Sequence, residues 1–121
     1  MPSRETVEAL IAMVEAGQFD TAIERFYAED ASMQENLDPP RHGLADLVEG
    51  ERRTMARSKN IRAQCVRPFL IDGETVAIRW LFEFEQNDGR KVVLDEIAYQ
   101  LWRGDKIVKE RFYYDPKQLG R

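Results

Sequence analysis

Hydrophobic and polar residues alternate through the last third of the chain, a pattern that predicts β-strands. Over 91–103, one set of alternate positions is mostly apolar and consists of Val92, Leu94, Glu96, Ala98, Gln100 and Trp102. After a turn at 104–105, a second such set consists of Val108, Glu110, Phe112 and Tyr114. Successive side chains of a strand point to opposite faces, so the members of each set share one face. Each of these faces therefore carries a glutamate among apolar neighbours.

A glutamate on an apolar face predicts a cavity, because burying an unpartnered carboxylate anion costs free energy and raises its pKa. A predicted helix over 43–57 repeats the pattern, with Glu51 in the i+7 place of its apolar stripe. Gly50 lies beside it in mid-helix, which costs about 1 kcal/mol relative to alanine and predicts a close packing partner. Alternatively, these acids pair with arginines or reach solvent at a strand end; the candidate partners are Arg62, Arg67 and Arg111.

Apolar residues spaced three and four apart predict three helices ahead of the strands. The first begins at Ser3, a favourable N-cap, and ends at Gly17. Its apolar stripe consists of Val7, Leu10, Ile11 and Val14. The second runs from residue 19 or 20 to Tyr27, and the third is the helix over 43–57.

The remaining segments predict a bent, mainly antiparallel sheet. A weak alternation over 31–35 indicates a first strand, and Pro39 and Pro40 indicate an irregular crossover over 36–42. Strands follow over 61–71, 75–85, 91–103 and 106–115, joined by turns at 72–73, 87–89 and 104–105. Three consecutive hairpins form a meander, and the helices are expected to cover one of its faces.

The register of the last hairpin has two solutions. A two-residue loop at 104–105 places Arg111 opposite Ala98, whereas a three-residue loop places Phe112 there. A shift by one residue turns every side chain to the other face of the sheet. Because the face that carries Phe112 is the more apolar, we predict the three-residue loop, with Glu110 pointing inward.

The second face of the strand over 91–103 is also mostly apolar and consists of Val93, Asp95, Ile97, Tyr99 and Leu101. A sheet covered by helices on one side is expected to be polar on the other. An exposed apolar stripe indicates a partner, most often a second copy of the same chain. We therefore predict a homodimer that forms through the outer sheet face.

Length, charge and cysteine content narrow the class of protein. The 121 residues fit one domain over 1–121, and a net charge of -4 without a dense basic patch predicts no nucleic-acid partner. The single Cys65 cannot form an internal disulfide, which predicts a reducing compartment. The polar start of the chain and the lack of an apolar run near ~20 residues predict no signal peptide or membrane span. The expected location is cytoplasmic.

Several reaction classes are not indicated, because the sequence lacks their motifs. The sequence has no glycine-rich phosphate loop, no G-x-S-x-G and no C-x-x-C, so nucleotide-dependent hydride transfer, phosphoryl transfer and serine hydrolysis are not indicated. It has no dense His/Asp/Glu motif, so we expect no metal and no cofactor. The only histidine, His42, can assist Glu35 as a base or simply close the loop before helix three. Five aromatic residues either provide a flat surface for a ligand or pack in the core. They are Trp80, Phe82, Phe84, Phe112 and Tyr114.

Several local segments, taken in order, resemble the nuclear transport factor 2-like superfamily, in its SnoaL-like and ketosteroid-isomerase-like branches. They are 14–20 (VEAGQFD), 27–32 (YAEDAS), 40–43 (PRHG) and 104–107 (GDKI) leading to 114–116 (YDP). The resemblance covers essentially the whole chain. It implies an α+β, cone-shaped fold with three N-terminal helices packed on a curved, mainly antiparallel sheet. The same fold hosts enzymes and non-enzymes.

The resemblance also implies roles for single residues. The general-base carboxylate of the isomerases, at the end of the first strand, matches Glu35. Their oxyanion-hole positions fall on Leu10 and Ala98, which cannot donate a hydrogen bond, so steroid isomerase activity is not implied. The last-strand aspartate of the epoxide-hydrolase branch matches Phe112. The last-strand acid/base aspartate of SnoaL-like cyclases is nearest to Asp115.

The function that we expect is general acid–base catalysis without a cofactor, by cyclisation, isomerisation or hydration of a small, largely apolar, carbonyl-containing molecule. The candidate catalytic residues are Glu35, His42, Glu110 and Asp115. The residues expected to line the substrate pocket are Tyr27, Glu51, Trp80, Phe82, Glu96, Ala98, Phe112 and Tyr114. The alternative is a non-catalytic homodimer that binds a ligand or serves as a scaffold.

Overall fold

Three helices cover a six-stranded sheet in the computed structural model, which describes residues 1–120. The helices are α1 (Arg4–Glu15), α2 (Phe19–Phe26) and α3 (Leu44–Ala56). The predicted N-cap is confirmed, because the Ser3 side chain accepts a hydrogen bond from the backbone N–H of Thr6 at 3.0 Å. Gly17 has a φ of +81° immediately after α1, a conformation that glycine adopts at little cost.

The strands are β1 (Tyr27–Glu35), β2 (Arg41–His42), β3 (Ser58–Asp72), β4 (Thr75–Gln86), β5 (Lys91–Arg103) and β6 (Lys106–Tyr113). Their order across the sheet is β2-β1-β6-β5-β4-β3, and a short 3-10 helix follows at Pro116–Leu119. β1 and β6 are parallel, and the other neighbours are antiparallel. The predicted α+β architecture and the three consecutive hairpins are confirmed.

The predicted boundaries are wrong at the start of the sheet. Tyr27 is not the last residue of α2 but the first of β1, since its backbone is already extended at φ -106° and ψ 142°. The crossover over 36–42 ends in the two-residue strand β2, where His42 pairs with Ser32. The sequence alternates only weakly over β1, so its true start could not be predicted. The main partner of β1 is β6, which lies more than 70 residues later in the chain.

The last hairpin combines both register solutions. Arg103 pairs with Lys106 and Trp102 with Ile107, so the turn itself has two residues, contrary to the prediction. A β-bulge then inserts Val108, and from there the register shifts by one residue. The inward direction predicted for Glu110 is confirmed, but Ile107 rather than Val108 is the fully buried residue near the turn. Apolar burial decided the register, and the bulge supplied the extra residue.

The core lies between the helices and the inner face of the sheet. The largest of its fully buried side chains are Trp102, Ile11, Leu47, Ile78 and Ile107. Alternate residues of β5 face this core, whereas Val93, Ile97, Tyr99 and Leu101 on the other side are 38–53% exposed. Within residues 1–120, no helix is both long and apolar enough to cross a membrane.

Candidate active site

A cleft lies between α3 and the inner face of the sheet, and a smaller cavity lies between the sheet and helices α1 and α2. The cleft has a volume of about 970 Å³ and the cavity about 80 Å³. The two adjoin, because both are lined by the same four side chains, Met33, Glu51, Phe82 and Phe112. Ionisable side chains therefore face a space that is open at one end and narrow and mostly apolar at the other.

Glu110 lies at the narrow end, in a fully hydrogen-bonded network. One carboxylate oxygen accepts the hydroxyl hydrogen of Tyr27, and the other accepts a hydrogen bond from Gln100 Nε2 at 2.6 Å. Gln100 is itself fixed, since its Oε1 accepts from the indole N–H of Trp102 at 3.0 Å. Burial raises the pKa of Glu110 to about 7, although the two hydrogen bonds oppose this shift. Burial beside Glu110 also raises the pKa of Tyr27 well above its ordinary value.

Glu96, on the same face of β5 as Gln100, has contrasting surroundings. It is only 8% exposed, yet no side chain or backbone group of residues 1–120 donates a hydrogen bond to it. Its carboxylate oxygens are not sealed off, because no fully buried, unpaired side-chain oxygen exists among the described residues, and Glu96 lines the cleft. Burial, followed by the charges of Glu110, Glu35 and Glu51, raises the pKa of Glu96 to about 8.

Glu35 lies nearer the mouth of the cleft, and Glu51 lies where the cleft joins the cavity. The hydroxyl of Tyr114 donates to Glu35 Oε1 at 2.8 Å, and Arg41 Nη2 lies 3.7 Å from Glu35 Oε2. Burial raises the pKa of Glu51, and the negative charge of Glu35 adds to that rise. The positive charge of Arg41 opposes it.

Together these four carboxyl groups form an acid cluster, defined as Glu35, Glu51, Glu96 and Glu110. The negative charges of the other three members all raise the pKa of Glu96, and Glu51 likewise raises the pKa of Glu110. Like charges in a poorly hydrated space cannot all ionise, so such a cluster divides into protonated and anionic members near neutral pH. This division is the arrangement that general acid–base chemistry requires.

Aromatic rings form the apolar wall beside the acid cluster. Trp80 and Phe82 lie with ring centroids 5.8 Å apart, and Phe19 lies 6.2 Å from Phe82. Phe82 and Phe112 border both the cleft and the cavity. Ala98, which we expected in the pocket, is instead fully buried within the hydrophobic core and lines neither space.

Comparisons with known proteins identify the family of this chain and agree with its fold. The sequence profile of the SnoaL-like domain matches residues 7–110. The chain belongs to the SnoaL-like domain family. No curated protein matches this SnoaL-like chain significantly.

Solved structures with the same fold share little sequence with this SnoaL-like chain. A candidate SnoaL-like polyketide cyclase from Mesorhizobium loti matches with a TM-score of 0.80 at 22% identity, over 94% of this chain and 100% of its own. A protein from Catenulispora acidiphila with a ketosteroid isomerase-like fold, solved with trimethylamine, matches with a TM-score of 0.79 at 18% identity, over 93% and 87%. TerC, co-crystallised with polyporic acid, matches at 0.80 and 17% identity, over 96% and 93%.

Two candidate catalytic residues of this SnoaL-like domain lie away from the acid cluster. His42 is exposed on the edge strand β2 and lines neither the cleft nor the cavity. Asp115 is exposed too, and its side chain accepts the backbone N–H of Lys117 at 2.9 Å as the N-cap of the 3-10 helix. β6 ends two residues before Asp115, and Asp115 does not line the cleft, although Tyr114 beside it does.

The sequence reasoning missed Arg41 and Gln100. Arg41 reaches the cleft from β2, and its guanidinium packs against Gly50 of α3. The mid-helix glycine had indicated a close neighbour without naming it. Gln100 was recognised as facing inward, but its link to Glu110 depends on the bulge at Val108. Among residues 1–120 no group of three or more acidic, histidine or cysteine side chains is arranged to hold a metal ion.

Proposed function

We propose that the protein is a cofactor-independent enzyme that transfers protons next to a carbonyl group of a small apolar molecule. The reaction would be a cyclisation, an isomerisation or a hydration. The observation that carries this proposal is Glu96, a buried carboxyl group that faces the cleft without a hydrogen-bond donor from the described residues. A structural glutamate at this depth is normally paired, because leaving a buried polar group unsatisfied costs about 1–3 kcal/mol.

The surroundings of the acids support a division of roles. Glu96 holds its proton near neutral pH, since its pKa is raised to about 8, and it serves as the general acid toward the carbonyl oxygen. Glu35, half-exposed beside Arg41 and fixed by Tyr114, serves as the base that removes the proton from the adjacent carbon. One proton enters and one leaves, so the substrate becomes an enol that then cyclises or is reprotonated elsewhere. In a hydration, Glu35 would instead take a proton from water as it adds to a conjugated C=C bond while Glu96 protonates the carbonyl oxygen, and the enol so formed would be reprotonated at carbon. His42 and Asp115 have no role in this scheme.

Tyr27 and Glu110 form the inner end of the proposed site. The Tyr27 hydroxyl already donates to Glu110, so a substrate oxyanion would have to compete for that hydrogen. We therefore assign the pair to shaping and polarising the narrow end, where Trp80, Phe82 and Phe112 would contact the apolar part of the substrate. Tyr114 is the hydroxyl nearer the opening and orients Glu35.

The assembly that we propose is a homodimer through the outer sheet face. Four apolar residues of β5 and one of β6 are 38–53% exposed on this face. They are Val93, Ile97, Tyr99, Leu101 and Tyr113. This apolar stripe, interrupted by the ion pair of Arg79 and Asp95, supports an interface with a second copy.

The test uses exchange of α-protons for deuterium, which needs no knowledge of the natural substrate. We expect the protein to accelerate exchange at the α-carbon of 2-tetralone in D₂O, followed by proton NMR. Glu35→Gln and Glu96→Gln should each lower the rate by about 10²–10⁴, the usual contribution of a positioned acid or base. Both changes keep the size of the side chain.

The matched control is Glu29→Gln, which changes an exposed glutamate outside the cleft. This variant should catalyse deuterium exchange at the wild-type rate. Circular dichroism would establish that all variants are folded. The proposed chemistry would be refuted if the wild-type protein left exchange at the rate in buffer alone. It would also be refuted if Glu35→Gln and Glu96→Gln both matched the wild-type rate.

One observation favours the alternative of a non-catalytic ligand-binding protein. Both oxygens of Glu110 are already satisfied by Tyr27 and Gln100, as in a structural network that merely stabilises the core. In that case 2-tetralone would bind, shifting the resonances of cleft residues, while its α-protons exchanged no faster than in buffer.

A further inference from the structure

Arg41 occupies a fitted position at the mouth of the cleft. Its Nη1 lies 2.9 Å from the place where a β-carbon would stand at residue 50, closer than real side chains tolerate. Its Nη2 lies 3.9 Å from Met33 Sδ and 3.7 Å from Glu35 Oε2. Gly50 therefore provides a slot on α3 that any other amino acid would narrow, and the guanidinium lies in that slot at the entrance to the acid cluster.

The hydrogen-bonding capacity of Arg41 is largely unused. A guanidinium has five N–H donors, and among residues 1–120 the Nε and Nη1 of Arg41 donate to no side chain or backbone group. Arginines elsewhere in this chain form two-pronged pairs: Arg67 binds Glu8 at 2.6 and 3.0 Å, and Arg79 binds Asp95 at 2.7 and 3.0 Å. The 3.7 Å separation from Glu35 is too long for a hydrogen bond. The planar guanidinium of Arg41 can therefore donate two parallel hydrogen bonds to another carboxylate.

The charge balance of the cleft permits a bound anion. Arg57 also lines the cleft, and the contact found for it is with Thr54 Oγ1 at 3.4 Å rather than with a carboxylate. Glu96, deeper in the site, holds its proton near neutral pH because its pKa is raised to about 8, and Glu110, with its pKa raised to about 7, is only partly ionised there. An arriving anion thus finds N–H donors on Arg41 and Arg57, although Glu35 lies 3.7 Å from Arg41.

We propose that Arg41 binds a carboxylate of the substrate, so that the substrate class is an apolar keto acid rather than a neutral ketone. This inference rests on the proposed function for the carbonyl chemistry, but not for the binding of the anion. The planar fork of arginine matches a carboxylate in a bidentate manner, which both strengthens and orients the contact. The apolar body would then extend toward Phe82 and Phe112, with its reacting carbon beside Glu35 and Glu96.

The experiment compares two probes that differ only in charge, 2-naphthoate and 2-naphthamide, by isothermal titration calorimetry at neutral pH. Wild-type protein should bind the carboxylate at least about tenfold more tightly, in line with a charge-assisted hydrogen bond. Arg41→Gln should abolish this preference while leaving the affinity for the amide unchanged. Arg41→Lys, which keeps the charge but loses the fork, should retain only part of it.

Two further variants separate this role from a general loss of charge or folding. Arg62→Gln removes an arginine that is also loosely paired, 3.9 Å from Glu83, but lies outside the cleft, and it should keep the preference. Gly50→Ala favours the helix by about 1 kcal/mol but displaces the guanidinium. It should raise the melting temperature and still weaken naphthoate binding.

Equal binding of the two probes to the wild type, no binding of either, or an unchanged preference in Arg41→Gln would overturn the proposal. These outcomes are independent of the deuterium-exchange test. Carboxylate preference without α-proton exchange would refute the proposed enzyme and keep the anion site. Deuterium exchange in 2-tetralone without a preference for the carboxylate probe would refute the anion site and keep the proposed enzyme.

Discussion

Glu96 and Glu110 show how the surroundings of one residue type decide its chemistry. Both are buried glutamates on the inner face of neighbouring strands, at 8% and 2% exposure. Glu110 accepts hydrogen bonds on both oxygens, from Tyr27 and Gln100, and so contributes to the packing of the core. Glu96 has no such donor among the described residues and faces the cleft. The acid without a donor is therefore the one that we assign to the chemistry, and the hydrogen-bonded one belongs to the buried network at the narrow end.

The raised pKa of Glu96 predicts a pH dependence of stability. Between the ordinary glutamate pKa and about 8, the folded state keeps a proton that the unfolded state has lost. The free energy of unfolding should therefore fall as pH rises through this window, by up to about 1 kcal/mol per pH unit for this group. Glu96→Gln removes the titration, so the variant should be the more stable protein at about pH 8. Urea denaturation followed by tryptophan fluorescence measures this.

Glu29→Gln, which changes an exposed glutamate, serves as the control and should follow the wild-type pH profile. Glu110 contributes a similar slope up to about pH 7, so Glu96→Gln should flatten the profile without abolishing it. If Glu96→Gln and the wild type ran parallel between about pH 5 and 8, Glu96 would have an ordinary pKa and its role as a general acid would fail.

The hairpin of β5 and β6 shows how an element places the site. A two-residue turn alone would leave Arg111 opposite Ala98 and turn Glu110 outward. The bulge at Val108 restores the inward direction of Glu110, opposite Gln100. The alternation of the sequence predicted the favoured face, because it follows apolar burial. It could not predict the bulge, because a bulge depends on how β6 fits both β1 and β5.

The turn of this hairpin predicts a difference between two neighbouring alanine substitutions. Gly104 has a φ of +63°, a left-handed conformation that costs an L-amino acid about 1 kcal/mol or more. Gly104→Ala should therefore lower the free energy of unfolding by about that amount, although nothing crowds the position of the new β-carbon. Asp105→Ala in the same turn is the control and should cost less. Equal losses in a urea titration would contradict this account of the turn.

At the scale of the whole molecule, the three helices cover the inner face of the sheet, and the outer face carries an apolar stripe along β5 beside charged residues such as Arg79 and Asp95. The inner face holds the cleft and the acid cluster. The outer face exposes Tyr99 by 52% and Val93 by 53%, which favours association with a second copy. The fold class and the apolar outer stripe were both predictable from period-two alternation, since every residue of β5 belongs to one face or the other.

Light scattering after size-exclusion chromatography should find a dimer that dissociates in Tyr99→Lys. A lysine at the centre of a two-fold apolar interface buries a charge, and loss of a central aromatic typically costs about 2 kcal/mol or more, or about 30-fold in the dissociation constant. Leu37→Lys is the matched control, because Leu37 is 86% exposed in a turn away from this face. A wild-type protein that elutes as a monomer at micromolar concentration would refute the dimer.

Local patterns were enough to determine the helices, the hairpins and which glutamates face inward. Periodicity is a property of neighbouring residues, so Glu51, Glu96 and Glu110 were identified without coordinates. Tertiary structure alone decided their partners. Tyr27 meets Glu110 across 83 residues, and Tyr114 meets Glu35 across 79. Arg41 reaches Gly50 only because a two-residue strand pairs with β1. Such contacts depend on strand pairing and packing between distant segments, which no local pattern specifies.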